Sequence, residues 1–297
     1  MCGIVGLFAK DRELETRLGE LLSDMLIAMS DRGPDSAGIA IYRADNGKTK
    51  LTVQSQNPSA DFSGVAEDLA SSGINASVVV RDTHAVIETD GDAGSAHDWL
   101  AVRRPNARVM SSGRSVEIYK EVGRPEKVVT RFGIRSMEGR HGIGHTRMAT
   151  ESAVTTLGAH PFSTGPDQCL VHNGSLSNHN NLRRELVHDG MTFKTNNDSE
   201  VAAAYLTARM ARGNDLGEAL NGALSDLDGF YTFVVGDKSG FGVLRDPVAC
   251  KPAVMAETES YVAFGTEYRA LAKLPGIETA RVWEPDPATV YLWRHAA

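Results

Sequence analysis

The sequence has few cysteines and no long apolar run, and each shortage excludes a class of protein. Its three cysteines, Cys2, Cys169 and Cys250, are an odd number without CxxC spacing. That pattern argues against a disulfide framework and against a cysteine-rich zinc site. No apolar stretch approaches the ~20 residues of a membrane-spanning helix. We therefore expect no metal site and no membrane association.

An excess of positive charge is also missing. Lys and Arg number 31 and Asp and Glu number 38, so the net charge is −7. An acidic chain is a poor ligand for nucleic acid, and we expect no such partner. The N-terminus lacks a basic lead, and Lys10 and Asp11 interrupt its apolar stretch early. These features argue against a secretory signal and predict a cytoplasmic protein.

The pattern of apolar residues predicts strands and helices in mixed order, as in an α+β layered fold. A strand is expected at 3–9, followed by an amphipathic helix from Leu14 to Met29 that Gly33 and Pro34 end. Asn46-Gly47 is a strong hairpin signal. We predict hairpins that pair 38–42 with 49–54 and 107–112 with 115–122, a short helix at 125–133, strands at 142–148 and 168–172, and helices at about 178–189 and 199–211. No Pro-rich or Gly/Ser-rich linker divides residues 1–297, which predicts a single domain.

Cys2 is unusual because it directly follows the initiator methionine. Methionine is normally removed before a small second residue, which would leave a thiol and a free α-amine on one residue. An α-amino group ionises near pH ~7.7–8.0, so part of it is a neutral base at physiological pH. Cys2 would then supply both nucleophile and base. When the Met-Cys start is considered alone, the alternative is that Cys2 is an incidental cysteine at a disordered terminus.

Six short motifs follow one another along the chain, and the first contains Cys2. They are MCGIVG at the start, RGPDSAG at 32–38, GIGHTRMAT at 142–150, AHPF at 159–162, HNGSLSN at 172–178 and NNDSE at 196–200. Together they resemble the class II glutamine amidotransferases, which are N-terminal-nucleophile hydrolases. The resemblance implies a four-layer αββα sandwich. It covers nearly the whole chain except about 44–140, which looks like an insertion relative to shorter family members.

The resemblance also implies roles for individual residues. Asn173 and Gly174 follow an apolar strand, are expected to form a turn, and would stabilise the oxyanion. Arg147 would bind the α-carboxylate of glutamine and Asp198 its α-ammonium, with Thr150 near the carboxylate in the loop that closes over glutamine. The alternatives are a plain Asn-Gly turn, a surface salt bridge for Arg147 and a helix N-cap for Asp198.

Other motif residues are expected to support the site rather than react. Arg32 and Gly33 match a turn that packs near the nucleophile in the family. His145, His160 and His172 lie within the motifs, and a Cys–His pair is the rival chemistry. A free terminal amine makes a histidine base unnecessary, so these histidines are interpreted as structural.

The resemblance predicts a glutaminase subunit that hydrolyses L-glutamine to glutamate and passes ammonia to a synthase on a separate subunit. The segment SSGRSVEIYKEVG at 111–123 is similar to the amidotransferase subunits of glutamate synthase and N-methylglutamate synthase systems. We expect no cofactor on this chain, and FMN and iron–sulfur clusters only on partner subunits. Two alternatives stay open: a subunit for another acceptor, of the amidophosphoribosyl or sugar-amidating type, and a non-catalytic glutamine-sensing subunit.

Overall fold

Strands and helices are mixed along the chain in the computed structural model, which describes residues 2–149 and 153–296. The strands are β1 (Gly3–Ala9), β2 (Ser36–Tyr42), β3 (Thr49–Gln54), β4 (Ala76–Arg81), β5 (His84–Thr89), β6 (Arg108–Gly113), β7 (Val116–Val122), β8 (His141–Arg147), β9 (Phe162–Gly165), β10 (Gln168–Leu176), β11 (Gly229–Asp237), β12 (Gly240–Arg245), β13 (Val254–Glu257), β14 (Tyr261–Gly265), β15 (Arg281–Trp283) and β16 (Val290–Arg294). The helices are α1 (Arg12–Ile27), α2 (Pro58–Asp61), α3 (Val65–Ser71), α4 (Ala93–Arg103), α5 (Pro125–Phe132), α6 (His179–His188), α7 (Asp198–Ala211) and α8 (Leu216–Asp226). Within the described part of the chain, no helix has the length and apolarity needed to cross a bilayer.

Two antiparallel sheets form the centre of the molecule. One has seven strands in the order β15-β13-β14-β1-β8-β2-β7, and the other has five in the order β16-β12-β11-β10-β9. Strand β1 is the middle strand of the larger sheet, and both of its faces are buried. A strand covered on both faces appears in the sequence as a continuous apolar run, as GIVGLFA does.

The side chains of β1 alternate between two cores. Ile4 and Phe8 join Val171 and Val234 in the core between the sheets. Val5, Leu7 and Ala9 join a second core that contains residues of α1 and α5. A third core packs α6, α7 and α8 on the outer face of the five-stranded sheet. The molecule is therefore the αββα sandwich that the sequence predicted.

Helix α1 leads the chain back to the end of the sheet where β1 begins. Asp11 caps the helix by accepting a hydrogen bond from the Leu14 backbone N–H at 2.8 Å. Its leucine face packs on the seven-stranded sheet, and a short 3-10 turn at Ser30–Arg32 follows. A Cβ at Gly33 would lie 2.4 Å from the carbonyl carbon of Thr146 and 2.5 Å from the Arg147 nitrogen. Only glycine permits this approach of the turn to β8.

Residues 49–113 form a separate subdomain with its own core. Its sheet has the order β4-β5-β3-β6, and α3 and α4 pack on it around Leu51, Leu69 and Leu100. We call this unit the four-stranded subdomain. Strand β7 and helix α5 also lie in the 44–140 range, but β7 pairs with β2 and α5 packs with α1. Whether the range is an insertion relative to shorter family members stays a prediction.

Both predicted hairpins are wrong. Strand β2 pairs with β7 and β8, whereas β3 pairs with β5 and β6 in the subdomain. Likewise β6 pairs with β3 and β7 with β2. The local geometry at Asn46-Gly47 is that of a turn, since Gly47 has a φ of +81° and its N–H donates to Asp45 Oδ1 at 2.7 Å. The turn therefore leads the chain from one sheet into another instead of closing a hairpin.

Candidate active site

Cys2 and Arg147 lie side by side at one end of the seven-stranded sheet. Strands β1 and β8 are antiparallel, with Gly3 opposite Thr146. Extending this register by one residue places Cys2 next to Arg147. Arg147 is buried, and on its other side it pairs with Ser36 of β2. Cys2 is partly exposed and carries a free thiol, so it is accessible at this end of the sandwich.

Arg32 holds the backbone of Cys2 in place. Its Nε donates to the Cys2 carbonyl oxygen at 3.0 Å, and its Nη1 donates to the Glu267 carboxylate. Burial opposes ionisation of Glu267, but the hydrogen bond and charge of Arg32 keep the pKa of this carboxyl below its usual value. Arg269 donates to the second oxygen of Glu267 at 2.7 Å. Arg32 is therefore a bridge between the residue that carries the thiol and the segment after β14.

Asn173 and Gly174 lie within β10, not in the turn that the sequence predicted. They pair with Thr232 and Tyr231 of β11, and it is this long-range pairing that keeps the strand extended through the Asn-Gly dipeptide. Gly174 has a φ of +155°, and a Cβ there would lie 2.0 Å from the Phe230 carbonyl oxygen. The glycine is required by the backbone conformation and by the neighbouring strand.

One hydrogen bond joins the two sheets beside these residues. His145 of β8 donates from Nε2 to the His172 carbonyl oxygen of β10 at 3.0 Å. His145 is two residues before Arg147, and His172 directly precedes Asn173. The contact therefore brings the strand ends that carry Arg147 and Asn173 to the same end of the sandwich.

Asp198 is the first residue of α7 and lies next to the end of β10. Its Oδ2 accepts a hydrogen bond from the Leu176 backbone N–H at 3.0 Å. About a fifth of its side chain is exposed. The N-cap of α7 is Asn197, which accepts from the Ser199 backbone N–H at 2.9 Å, so the N-cap interpretation of Asp198 is wrong. The Asp198 Oδ1 accepts from the Ser199 hydroxyl at 3.4 Å and lies 3.9 Å from His172 Nδ1.

The three motif histidines are buried. The rings of His145 and His160 stack with their centroids 4.0 Å apart. Burial lowers the pKa of His145 to about 3 and that of His172 to about 4, although the charge of Asp198 opposes the shift at His172. Burial also lowers the pKa of His160. Neutral, packed imidazoles fit the structural role predicted for them.

The predicted residues thus come from both sheets to one end. Arg32 and Arg147 lie beside Cys2, and Gly33 packs against Arg147. Asn173 and Gly174 lie on the facing sheet, and Asp198 lies at the start of α7 beside the end of β10, while Thr150 falls outside the described residues. Among the described residues, no group of three or more His, Cys, Asp and Glu side chains could hold a metal ion.

Sequence reasoning missed two carboxylates. Glu267 anchors Arg32, and Asp35 accepts from the Ala149 backbone N–H at 2.8 Å while its own N–H donates to the Arg147 carbonyl at 3.1 Å. Asp35 belongs to RGPDSAG and Glu267 to the segment FGTEYRAL. The sequence signal that could have found them is an acidic residue inside a segment that matches the family, since such a carboxylate can bind a nearby arginine.

An αββα sandwich whose central strand begins just after a cysteine is the arrangement of an N-terminal-nucleophile hydrolase. Comparison with known proteins then identifies the family. A family model described as a glutamine amidotransferase domain matches residues 145–273. The glutamine amidotransferase-like protein GlxB of Rhizobium meliloti (strain 1021) is 69% identical over 297 residues, which are 99% of both chains. The chain belongs to the glutamine amidotransferase family and is an enzyme of this type.

A second relative agrees with this assignment, and a solved structure shares the fold. A protein of Methanothermobacter thermautotrophicus, also described as a glutamine amidotransferase, is 31% identical over 314 residues and covers 99% of both chains. A solved structure of glutamine phosphoribosylpyrophosphate amidotransferase from B. subtilis aligns with a TM-score of 0.64. That alignment covers 99% of this chain and 47% of the other at 18% identity, so it shows a shared fold.

We predict that Arg32→Ala lowers the kcat of glutamine hydrolysis about 10²-fold with little change in KM. Loss of the bond to the Cys2 carbonyl frees the thiol to shift, and misplacement by ~1 Å costs this much in rate. Steady-state kinetics test the expectation. Arg269→Ala is the matched control, because Arg269 also binds Glu267 without contacting Cys2. Equal losses of kcat in the two variants would contradict the anchoring role.

Proposed function

We propose that this chain hydrolyses L-glutamine to glutamate and ammonia through the thiol of Cys2. The observation that carries the proposal is the position of Cys2 beside Arg147, at the end of the sandwich where Asn173 and Asp198 also lie. After removal of Met1, the α-amine of Cys2 accepts the thiol proton and the thiolate attacks the side-chain amide. The ammonium then returns the proton to the amide nitrogen as the C–N bond breaks, which releases ammonia and leaves a thioester on Cys2. Water, deprotonated by the same amine, attacks the thioester, and cleavage of the C–S bond releases glutamate and restores the thiol.

The remaining residues bind different groups of glutamine. Arg147 binds the α-carboxylate, because a guanidinium grips a carboxylate with two parallel hydrogen bonds. Asp198, whose side chain is about a fifth exposed, binds the α-ammonium through its carboxylate. The side-chain amide of Asn173 and the backbone N–H of Gly174 stabilise the oxyanion of the tetrahedral intermediate. Thr150 assists Arg147 at the carboxylate.

The ammonia passes to a synthase on another subunit, of the glutamate synthase or N-methylglutamate synthase type. FMN and iron–sulfur clusters belong to that partner in this proposal. Support comes from the similarity of the 111–123 segment to the amidotransferase subunits of these systems. Ammonia is largely protonated at neutral pH and then is no nucleophile, so direct transfer between docked subunits preserves its reactivity.

Cys2→Ala tests the nucleophile. We expect glutamine hydrolysis to fall below detection while the thermal unfolding temperature stays within about 2 °C of the parent, because a partly exposed thiol contributes little to packing. Intact-mass spectrometry of the active protein should show that Met1 is absent. Cys250→Ala, which removes an exposed cysteine elsewhere, is the control. Near-normal hydrolysis by Cys2→Ala would overturn the mechanism.

Separate effects on kcat and KM test the other roles. Asn173→Ala should lower kcat about 10²–10³-fold, the usual cost of losing an oxyanion donor. Arg147→Ala should instead raise KM about 10- to 100-fold, because charged hydrogen bonds contribute roughly 1.5–3 kcal/mol. Asp198→Asn keeps an acceptor for the Leu176 N–H and isolates the loss of charge. If Asn173→Ala changed only KM, its role in the oxyanion hole would be wrong.

The partner proposal predicts that docking stimulates the glutaminase. The isolated chain should hydrolyse glutamine slowly, and addition of the native synthase subunit with its acceptor should raise the rate about 5- to 150-fold, the range of allosteric coupling. Copurification of the tagged chain with an FMN-containing protein from its own organism identifies the subunit. Full activity of the isolated chain, unchanged by that subunit, would support a free-standing glutaminase instead.

A further inference from the structure

The segment after Arg147 is held at its start by the main sandwich. Asp35 binds the backbone of Arg147 and of Ala149, as described above. The Arg147 guanidinium in turn donates from Nη1 to the Ala153 carbonyl oxygen at 3.4 Å. The backbone at Ala153 is therefore a direct partner of the side chain proposed to bind the α-carboxylate. We use the name 148–157 loop for the described residues of this segment, which are 148–149 and 153–157.

Two adjacent residues of β7 hold the far end of this loop. The Lys120 ammonium is buried and donates to the carbonyl oxygens of Leu157, Ala159 and Pro161 at 3.3, 2.7 and 3.1 Å. The next residue, Glu121, accepts a hydrogen bond at Oε1 from the Thr156 hydroxyl. Successive side chains of a strand point to opposite faces, so Lys120 and Glu121 leave β7 in opposite directions and bind different groups near the loop end.

Glu121 also contacts the four-stranded subdomain. Its Oε2 accepts from the hydroxyl of Thr83, in the turn between β4 and β5, at 3.2 Å. Thr83, Glu121 and Thr156 are all more than nine-tenths buried. Arg131 of α5 lies 3.6 Å from the same carboxylate and binds Asp82 of that turn at 2.7 Å. One buried carboxylate thus joins the subdomain turn to the loop.

A cleft of about 340 Å³ also lies between the four-stranded subdomain and the loop. Gln54 and Arg108 of the subdomain line one side, and residues 155–157 of the loop line the other. The loop end therefore faces the subdomain both at Glu121 and along this cleft.

We propose that Glu121 is a positioning residue through which the four-stranded subdomain sets the affinity for glutamine. The path runs from Thr83 to the Glu121 carboxylate, then to Thr156, and along the loop to Ala153 and the Arg147 guanidinium. Buried hydrogen bonds to a carboxylate are strong enough to transmit a shift of this turn to the loop. The inference rests on the proposed glutaminase function and on the role of Arg147 in it.

The test is Thr83→Val, which removes the hydroxyl in the subdomain without touching the loop or the substrate. We expect KM for glutamine to rise about 10-fold, or 1.4 kcal/mol, while kcat stays within about 2-fold. Thr156→Val, which removes the hydroxyl on the loop side of Glu121, should raise KM by a similar factor. Thr89→Val is the matched control, because Thr89 is equally buried in the subdomain and donates to the Asn75 carbonyl away from this path.

The double variant Thr83→Val/Thr156→Val distinguishes a path from two local defects. Both hydroxyls act through one carboxylate, so the increases in KM should be less than multiplicative. Glu121→Gln, which keeps an acceptor oxygen, should be milder than Glu121→Ala. A wild-type KM in Thr83→Val, a KM no higher than that of Thr89→Val, or fully multiplicative effects would each overturn the proposal.

Glutamine binding to the Cys2→Ala protein, measured by calorimetry, provides a readout that does not depend on turnover. Adding Thr83→Val to this background should weaken the Kd about 10-fold, and adding Thr89→Val should not. If the wild-type chain hydrolysed no glutamine, the proposed function would fail. If it were active but Thr83→Val left the Kd unchanged, only the role of Glu121 would be wrong.

Discussion

The register of β1 between β8 and β14 is the constraint on which the site depends. Ile4 and Phe8 fill the core between the sheets, while Leu7 faces the helix layer. A slip by one residue would exchange the two faces and move Cys2 by ~3.3 Å along the sheet. Packing of both faces therefore determines where the thiol lies relative to Arg147, before any polar contact is considered.

Burial also bears on which group serves as the base in the proposed mechanism. The motif histidines are buried, and an imidazolium there would lose its hydration, a cost that Asp198 offsets only in part at His172. The low pKa values of His145 and His172 follow from this. The His145 side chain joins β8 to β10 through the His172 carbonyl. In the proposed mechanism, proton transfer is therefore assigned to a group on the exposed side. The α-amine of Cys2 is such a group once Met1 is removed.

The four-stranded subdomain is attached to the sandwich at the edge strand of the larger sheet. The chain enters it after β2 and returns through β7, so the strand that follows the subdomain is the one that holds the 148–157 loop. The polar contacts of Glu121 are buried, and a buried carboxylate stays ordered only where its oxygens are satisfied. In the proposed coupling, these contacts connect the four-stranded subdomain to the glutamine site, although the subdomain contributes no residue to that site.

The sequence by itself determined the elements whose signals are local, and it supplied the candidate residues of the site. An unbroken apolar run specifies β1, leucines at helical spacing specify α1, and a proline-initiated apolar pattern specifies α5. The ordered motifs carry the family resemblance, and the resemblance supplied the candidate site residues, whose catalytic roles stay predictions. The tertiary structure alone decided the pairing of β2, β3, β6 and β7 and the extended conformation at Asn173-Gly174. It also decided the partnerships of Glu121 and Glu267. Each of these depends on contacts between residues far apart in the chain, and a local turn signal such as Asn46-Gly47 does not specify which strands its flanking residues will pair with.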